Sequence, residues 1–323
     1  MMPSPAAGRK RAPAPVYRIE APMALPHRLL TARILALPAT AAALVALLLA
    51  TAAGPATASR ADLDSLVASE RAFAALSVEK GMRDAFLTYL ADDGVLLRFP
   101  PANGKALWSS REAVPATLLW EPAFAEVSAA GDLGYTTGPS EFRPYDDKEP
   151  VEHGHFVSMW KRQPDGRWRV ALDVGISHGK PARGVGSHDF APGPGHRRFS
   201  GVADLSGADR AWSKDARAIG ESAAFLRWTT ADVRSYREGQ EPGRGQRAAR
   251  ESLPDSGAAV VQFLTDTALV ARSGDLGYSY GILERRAAAD APPDSSVYLH
   301  VWRRVGAKRW KAALVLEKPL PKR

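Results

Sequence analysis

Two histidines and an aspartate near the middle of the chain carry the side chains best placed for chemistry: His153, His155 and, after a turn, Asp173. In His153-Gly154-His155 the imidazoles stand two residues apart, so on a strand both point to one side. Gln163-Pro164-Asp165-Gly166 suits a type I turn with Gly166 left-handed, which closes a three-residue hairpin loop. Gln163 then pairs with Arg167, and His155 comes opposite Gly175 and diagonal to Asp173, within reach for polar side chains. This register predicts a mixed face of His153, His155, Val157, Met159, Arg169, Ala171, Asp173 and Gly175. The opposite face, Phe156, Trp160, Trp168, Val170, Leu172 and Val174, is apolar and should meet helices. Two imidazoles and a carboxylate on one side could complete a facial metal site. Alternatively, His155 and Asp173 form an oriented acid–base pair in which the carboxylate fixes the imidazole tautomer. A third reading makes them satisfied polar groups at a sheet rim. The acid–base pair is taken as the catalytic candidate, with no metal and no cofactor assigned.

Other chemistries are excluded or fail on context. The chain has no cysteine, which removes disulfides, thiolate metal sites and cysteine nucleophiles. Gly175-Ile176-Ser177-His178-Gly179 fits a nucleophile elbow, but an elbow turns into a helix, and here Lys180-Pro181-Ala182-Arg183-Gly184 follows. Gly243-Arg244-Gly245-Gln246-Arg247-Ala248 fits a dinucleotide loop, yet the preceding Val233–Arg237 is too polar for a buried parallel strand. The net charge of +8 comes largely from the first 58 residues, which hold six of the 43 basic residues and one of the 35 acidic ones. The remainder carries +3, with no basic stripe interleaved with aromatics, so nucleic acid is not an expected partner.

The same 58 residues have the form of an export signal. Arg28 and Arg33 precede an apolar run from Ile34 to Ala53, which ends in Ala56-Thr57-Ala58, a small-x-small cleavage pattern. Export to the periplasm or medium is the expectation; an uncleaved inner-membrane anchor is the alternative, and only then is the membrane a partner. Met23, just before the leader, is an alternative start.

Comparing the chain with itself reveals a repeat. Gly131-Asp132-Leu133-Gly134-Tyr135 recurs as Gly274-Asp275-Leu276-Gly277-Tyr278, 143 residues on. Trp160 and Trp168 recur as Trp302 and Trp310, an offset of 142. Ser69-Glu70-Arg71-Ala72-Phe73 is echoed by Ala208-Asp209-Arg210-Ala211-Trp212, an offset of 139. Residues 59–178 and 202–323 are therefore expected to be two copies of one domain, joined by a Gly/Pro-rich linker over 179–201. In the second copy Val297 and Val315 replace His155 and Asp173.

Within copy one, Leu63, Leu66, Val67, Glu70 and Ala74 have helical spacing, and Gly81 is placed to end that helix. Phe86, Leu87 and Leu90 give a second helix closed by Asp92-Asp93-Gly94, and Ser109–Ala113 a single turn. Beyond that turn the copy is strand alone. Helices first and antiparallel strands after indicate an α+β domain with helices on one face of a curved sheet.

That order, the early Glu-Arg-Ala-Phe helix and the closing stretch from Phe156 to His178 resemble the nuclear transport factor 2-like superfamily, more narrowly its SnoaL-like, uncharacterised exported branch. The resemblance covers about 62–178 well and 203–317 more loosely. It implies two tandem cone-shaped domains, each with a pocket between helices and concave sheet, lined in copy one by Phe86, Tyr135, Trp160 and Trp168. The superfamily includes isomerases, cyclases and hydrolases beside many binding domains, so fold alone carries little functional weight. The function expected is binding of a small apolar or amphipathic ligand or of a partner protein; the alternative is a cofactor-free isomerase, cyclase or hydrolase in copy one. The last hairpin of copy two is apolar on both sides, with Val297, Leu299, Val301, Ala313 and Val315 on the side away from the helices. A sheet of that kind needs a second cover, and an intramolecular pseudo-dimer of the two copies would supply it.

Overall fold

The computed structural model describes residues 60–146, 151–181, 189–190, 203–253, 260–306 and 309–321; the expected export leader lies outside them. Copy one runs α1 (Arg60–Lys80), α2 (Met82–Tyr89), β1 (Leu90–Leu96), β2 (Ala102–Asn103), α3 (Gly104–Ser109), β3 (Ala116–Trp120), β4 (Phe124–Val127), β5 (Leu133–Pro144), β6 (Glu152–Arg162) and β7 (Trp168–His178). A two-residue strand, β8 (Asp189–Phe190), comes next. Copy two repeats the order with α4 (Ala203–Ile219), α5 (Glu221–Trp228), β9 (Thr229–Arg237), β10 (Gly243–Arg244), α6 (Gly245–Glu251), β11 (Val260–Val270), β12 (Leu276–Arg286), β13 (Asp294–Val305) and β14 (Arg309–Pro319). Among these residues no helix is long and apolar enough to cross a membrane.

Local sequence explains the elements. Along α1, Leu63, Leu66, Val67, Glu70, Phe73 and Ala74 are buried at intervals of three and four, the stripe a helix needs to sit on a sheet. Gly81 separates α1 from α2 at φ 85°, and Gly220 holds the same place and angle between α4 and α5. That left-handed region strains any residue with a Cβ. The strand after α2 starts at Leu90, so Asp92, Asp93 and Gly94 lie within β1 rather than closing a helix. The single helical turn also sits earlier than the spacing suggests, at Gly104–Ser109, because the Asn103 side chain accepts a hydrogen bond from Ala106 N at 2.9 Å and caps it.

The first sheet has the order β2-β1-β7-β6-β5-β4-β8, with β3 also paired to β5, and the second β10-β9-β14-β13-β12-β11. The β5–β6–β7 and β12–β13–β14 meanders are antiparallel, whereas β1 joins β7, and β9 joins β14, in parallel. Each half is therefore an α+β cone with its helices on the concave side. Part of the expected linker is structure: Phe190 packs on the copy-one core, and β8 extends the sheet past β4.

One irregularity recurs and corrects the register drawn from the turn. Arg162, Lys161 and Trp160 pair with Trp168, Arg169 and Val170 as the turn dictates, but Met159 pairs with Leu172. Ala171 is thus an extra residue, a β-bulge, and every residue of β7 beyond it changes face. The same shift falls between Val301 and Trp302 on β13, at Ala313 of β14. Leu172, Val174 and Ile176 consequently lie on the convex face with Val157 and Met159, and in copy two Leu314 and Leu316, instead of Ala313 and Val315, lie there with Val297, Leu299 and Val301.

These two convex faces form one continuous apolar cluster that also includes Tyr135, Tyr236 and Tyr278. Polar contacts at its edge obey a pseudo-two-fold relation. Asp275 Oδ2 accepts from Ala129 N at 2.8 Å, and the corresponding Asp132 Oδ2 accepts from Arg272 N at 3.0 Å. The layers run helices, sheet, sheet, helices, and the remaining two cores lie between each sheet and its own helices.

Candidate functional site

The bulge at Ala171 decides which side chains can cooperate. His155 and Asp173 come out on opposite faces of the sheet, so the acid–base pair read from the hairpin does not exist. His155 faces copy two. Its ring stands 6.2 Å from Tyr236, and its Nδ1 lies 2.8 Å from His178 Nε2. His178 Nδ1 lies 2.7 Å from the Gly179 carbonyl, which can only accept, so Nδ1 of His178 carries the proton and its Nε2 accepts from His155. Burial, then the neighbouring His178, pull the His155 pKa from 6.5 to about 4. His153 lies 3.7 Å from a Glu141 carboxylate oxygen. Among the described residues no group of three or more ligating side chains could hold a metal ion, and the facial-triad reading has no geometry behind it.

Asp173 turns instead into the concave side of copy one. There a cavity of about 180 Å³ is walled by Phe73, Phe86, Trp120 and Phe156, with Ser140, Ser158, Asp173 and Gly175 supplying its polar edge. Ser158 Oγ donates to Asp173 Oδ1 at 2.7 Å. The carboxyl is surrounded by protein but keeps some accessibility through the mouth, where Gly175 is exposed. Burial raises its pKa from 3.8 to about 6, with the Ser158 hydrogen bond acting in the opposite sense.

A second carboxyl sits directly behind. Glu70, fully buried on α1, accepts from Trp120 Nε1 and Thr136 Oγ1, each at 2.5 Å, and from Trp160 Nε1 at 2.8 Å. Burial pushes its pKa up to about 7 against the lowering effect of those three donors, and Asp173 adds to the rise. Glu70 therefore fixes the indole of Trp120, a cavity wall, and couples electrostatically to Asp173. Its signal in the sequence is an acidic residue in the buried stripe of both first helices, Glu70 and Asp209.

The remaining pocket candidates divide. Phe86 lines the cavity. Trp160 is buried beside it, held by Glu70, and Trp168 is buried further along with its Nε1 donating to Ser65 Oγ at 2.9 Å. Tyr135 lies on the other face, in the shared inter-copy core, and its hydroxyl donates to Glu126 at 3.0 Å. Asp232 stands within β9, where Arg303 reaches it at 3.1 Å.

Copy two shows what happens when the cavity is filled. Tyr298, His300 and Phe263 occupy the places of Phe156, Ser158 and Trp120, and Asp209 accepts from Tyr298 and Thr265 and lies 2.9 Å from His300 Nδ1. Trp212 stacks on His300 at 4.7 Å. Only about 20 Å³ remains, room for a water and nothing larger.

No family model matches the sequence, and no curated protein matches it. Solved structures resemble parts of the chain. A ketosteroid isomerase-like protein from Erwinia carotovora atroseptica is 17% identical over 38% of this chain and 97% of its own, with a TM-score of 0.29. An NTF-2 like protein of unknown function from Shewanella oneidensis is 14% identical over 36% and 97%, TM-score 0.29. A protein of unknown function with a cystatin-like fold from Nostoc punctiforme is 10% identical over 39% and 96%, TM-score 0.31. Each half of this chain is an α+β cone with its helices on the concave side of a sheet. Within that fold, copy one keeps an open cavity with a carboxyl at its edge, and copy two does not.

Proposed function

We propose that copy one binds a small, flat, largely apolar molecule in its concave cavity and moves a proton on it through Asp173, without a cofactor. The observation that carries this reading is the bulge-directed placement of Asp173, with its pKa near 6, at the polar edge of a cavity whose walls are aromatic. A cavity near 150 Å³ accepts benzene, so about 180 Å³ accommodates one ring with a small substituent. A carboxylate whose pKa lies close to neutrality is a competent general base, and Ser158 holds it in one orientation. The Ser140 hydroxyl, on the same rim, can donate to an oxygen that gains negative charge. Copy two serves as the rigid backing of the sheet, and the chain acts outside the cytoplasm once its leader is removed near Ser59.

The test substrate is 3-cyclohexenone, whose conversion to the conjugated ketone is followed by ultraviolet absorbance. Wild-type protein should accelerate it, with one ring-sized ligand bound per chain, and Asp173→Asn should bind the ketone but lose the acceleration. Binding by both proteins with acceleration by neither leaves a ligand-binding domain, the reading favoured if Asp173 serves only to orient its guest. Absence of binding removes the proposal. The export reading is checked separately by the mass of the native protein, which should start near Ser59 and not retain Leu25–Ala53.

A further inference from the structure

The two copies serve as internal controls for each other, and one region differs in charge. Where the last hairpin meets the end of the second helix, copy one pairs two of its three cations, while Arg169, the counterpart of Lys311, donates to the Trp168 carbonyl. Arg167 Nε donates to Asp165 at 2.7 Å, and Lys105 Nζ lies 2.6 Å from Asp92. Copy two has Ala307 at the position of Asp165 and Ala231 at that of Asp92. Its groove there, about 540 Å³, is lined by Arg227, Trp228, Arg309, Trp310 and Lys311 together with Ala211, and among the described residues no acidic side chain lines it. Asp215, behind Trp228, offsets Arg227 at 3.2 Å and accepts from Trp228 Nε1 at 2.8 Å. That leaves Arg309, which is exposed, and Lys311 without a carboxylate partner among the described residues. Trp310 adds a second difference. It is 5% exposed and its Nε1 has no acceptor among the described residues, whereas the matching Trp168 donates to Ser65.

We propose that this groove is a second binding site, for a small organic anion with a flat apolar body, such as an aromatic carboxylate or sulfonate. The half-buried indole of Trp228 gives such a body an apolar face, beside a buried Trp310 whose ring is covered by Arg304 at 5.3 Å, and Arg309 with Lys311 supplies the matching charge at the rim. A neutral molecule would leave those cations uncompensated, and an inorganic anion would leave the indole surface unused. The site is independent of the copy-one cavity, which lies on the concave side of the other sheet.

The probe is 1-anilinonaphthalene-8-sulfonate, titrated into the intact chain and read by fluorescence, with its uncharged relative N-phenyl-1-naphthylamine as the comparison. Saturable binding at one site per chain is expected, weakened at least tenfold by Arg309→Glu, restored to within about threefold by Arg309→Lys, and weakened by added salt because the charges are at the surface. Arg167→Glu, the matching change in copy one, should leave the affinity unchanged. Both arginines are at exposed positions, and circular dichroism confirms that the variants remain folded. Absence of saturable binding, equal affinity in Arg309→Glu, or equal affinity for the uncharged probe overturns the proposal.

Discussion

Ser158 and Asp173 meet across β6 and β7, Oγ to Oδ1 at 2.7 Å, because β7 carries one residue more than β6 between the turn and that point. Without the extra Ala171 the aspartate would face the other copy, inside a cluster built from valine, leucine and tyrosine. The bulge therefore exchanges a buried charge in an apolar interface for a carboxyl at the edge of a cavity. That exchange has a measurable stability signature.

Asp173→Asn should stabilise the protein at pH 8 while abolishing proton transfer. A carboxyl whose folded pKa is raised from 3.8 to about 6 holds its proton more tightly in the folded state than in the unfolded one. Its favourable contribution is complete below the unfolded value and is lost as pH rises through about 6, so at pH 8 the wild-type carries the cost of an ionised buried group. Asparagine keeps the Ser158 hydrogen bond without that charge. Urea unfolding should give the variant an advantage on the order of 1–2 kcal/mol at pH 8 that vanishes near pH 4. An advantage independent of pH would mean that Asp173 is not the titrating group.

Glu70→Gln should destabilise the protein when measured near pH 5, below its raised pKa of about 7, where the substitution removes no charge. Glu70 accepts from two indoles and a hydroxyl, and the amide NH₂ of glutamine cannot accept from any of them. The glutamine oxygen keeps two donors when it takes the place of Oε2, facing Thr136 and Trp160, and its NH₂ then leaves Trp120 Nε1 unpaired, at a cost of about 1–3 kcal/mol. Because Trp120 is a cavity wall, ring-ligand affinity should fall together with stability, and near-ultraviolet circular dichroism should report the loosened tryptophans. Unchanged affinity would show that Trp120 is held by packing alone.

The repeat, the helix-then-sheet order and the turn at Gln163–Gly166 are legible because glycine, proline and tryptophan mark them locally. The bulge is not. Along Trp168-Arg169-Val170-Ala171-Leu172-Asp173-Val174 the residues are mostly apolar on both sides, and no glycine or proline marks the extra one. A buried sheet covered on both faces removes the alternation that would fix register. His155 and Asp173 are each sensible candidates by type; one unpaired residue between the turn and Asp173 separates them. Glu70 is hidden by its place in a helix stripe, although a carboxylate at that place in both copies is itself unusual.

His155→Val, which installs the residue of copy two, should change the acid limb of stability. His155 is held neutral, its pKa lowered from 6.5 to about 4 by burial and by His178, and it packs near Tyr236 at the contact between copies. A base with a lowered folded pKa stabilises above its unfolded value, and that contribution is lost as pH falls from about 6.5 to about 4. The valine variant lacks this loss. Its stability relative to wild-type should therefore improve steadily from pH 7 to pH 4, measured by thermal unfolding across that range. A constant difference would assign the acid limb to other groups.

Glu126 and Arg303, one from each copy, form a buried pair whose disruption tests whether the halves unfold together. Arg303 donates to both carboxylate oxygens of Glu126, at 2.8 and 2.6 Å, and Glu126 is 2% exposed. Tyr135 donates to the same carboxylate, and Asp232 receives the remaining Arg303 contact. Arg303→Met leaves the Glu126 charge buried without its partner, and removing one member of a buried pair costs about 3–5 kcal/mol. Glu126→Leu strands Arg303 less severely, since that side chain retains Asp232. The double variant replaces charge on both sides with apolar surface and should recover more than half of the loss seen in Arg303→Met. If the two copies share one core, every variant unfolds in a single urea transition with an unchanged slope, and the coupling between the two positions exceeds about 1 kcal/mol. Two separated transitions, or additive effects of the two substitutions, would show that the halves are independent and that the pair contributes nothing to holding them together.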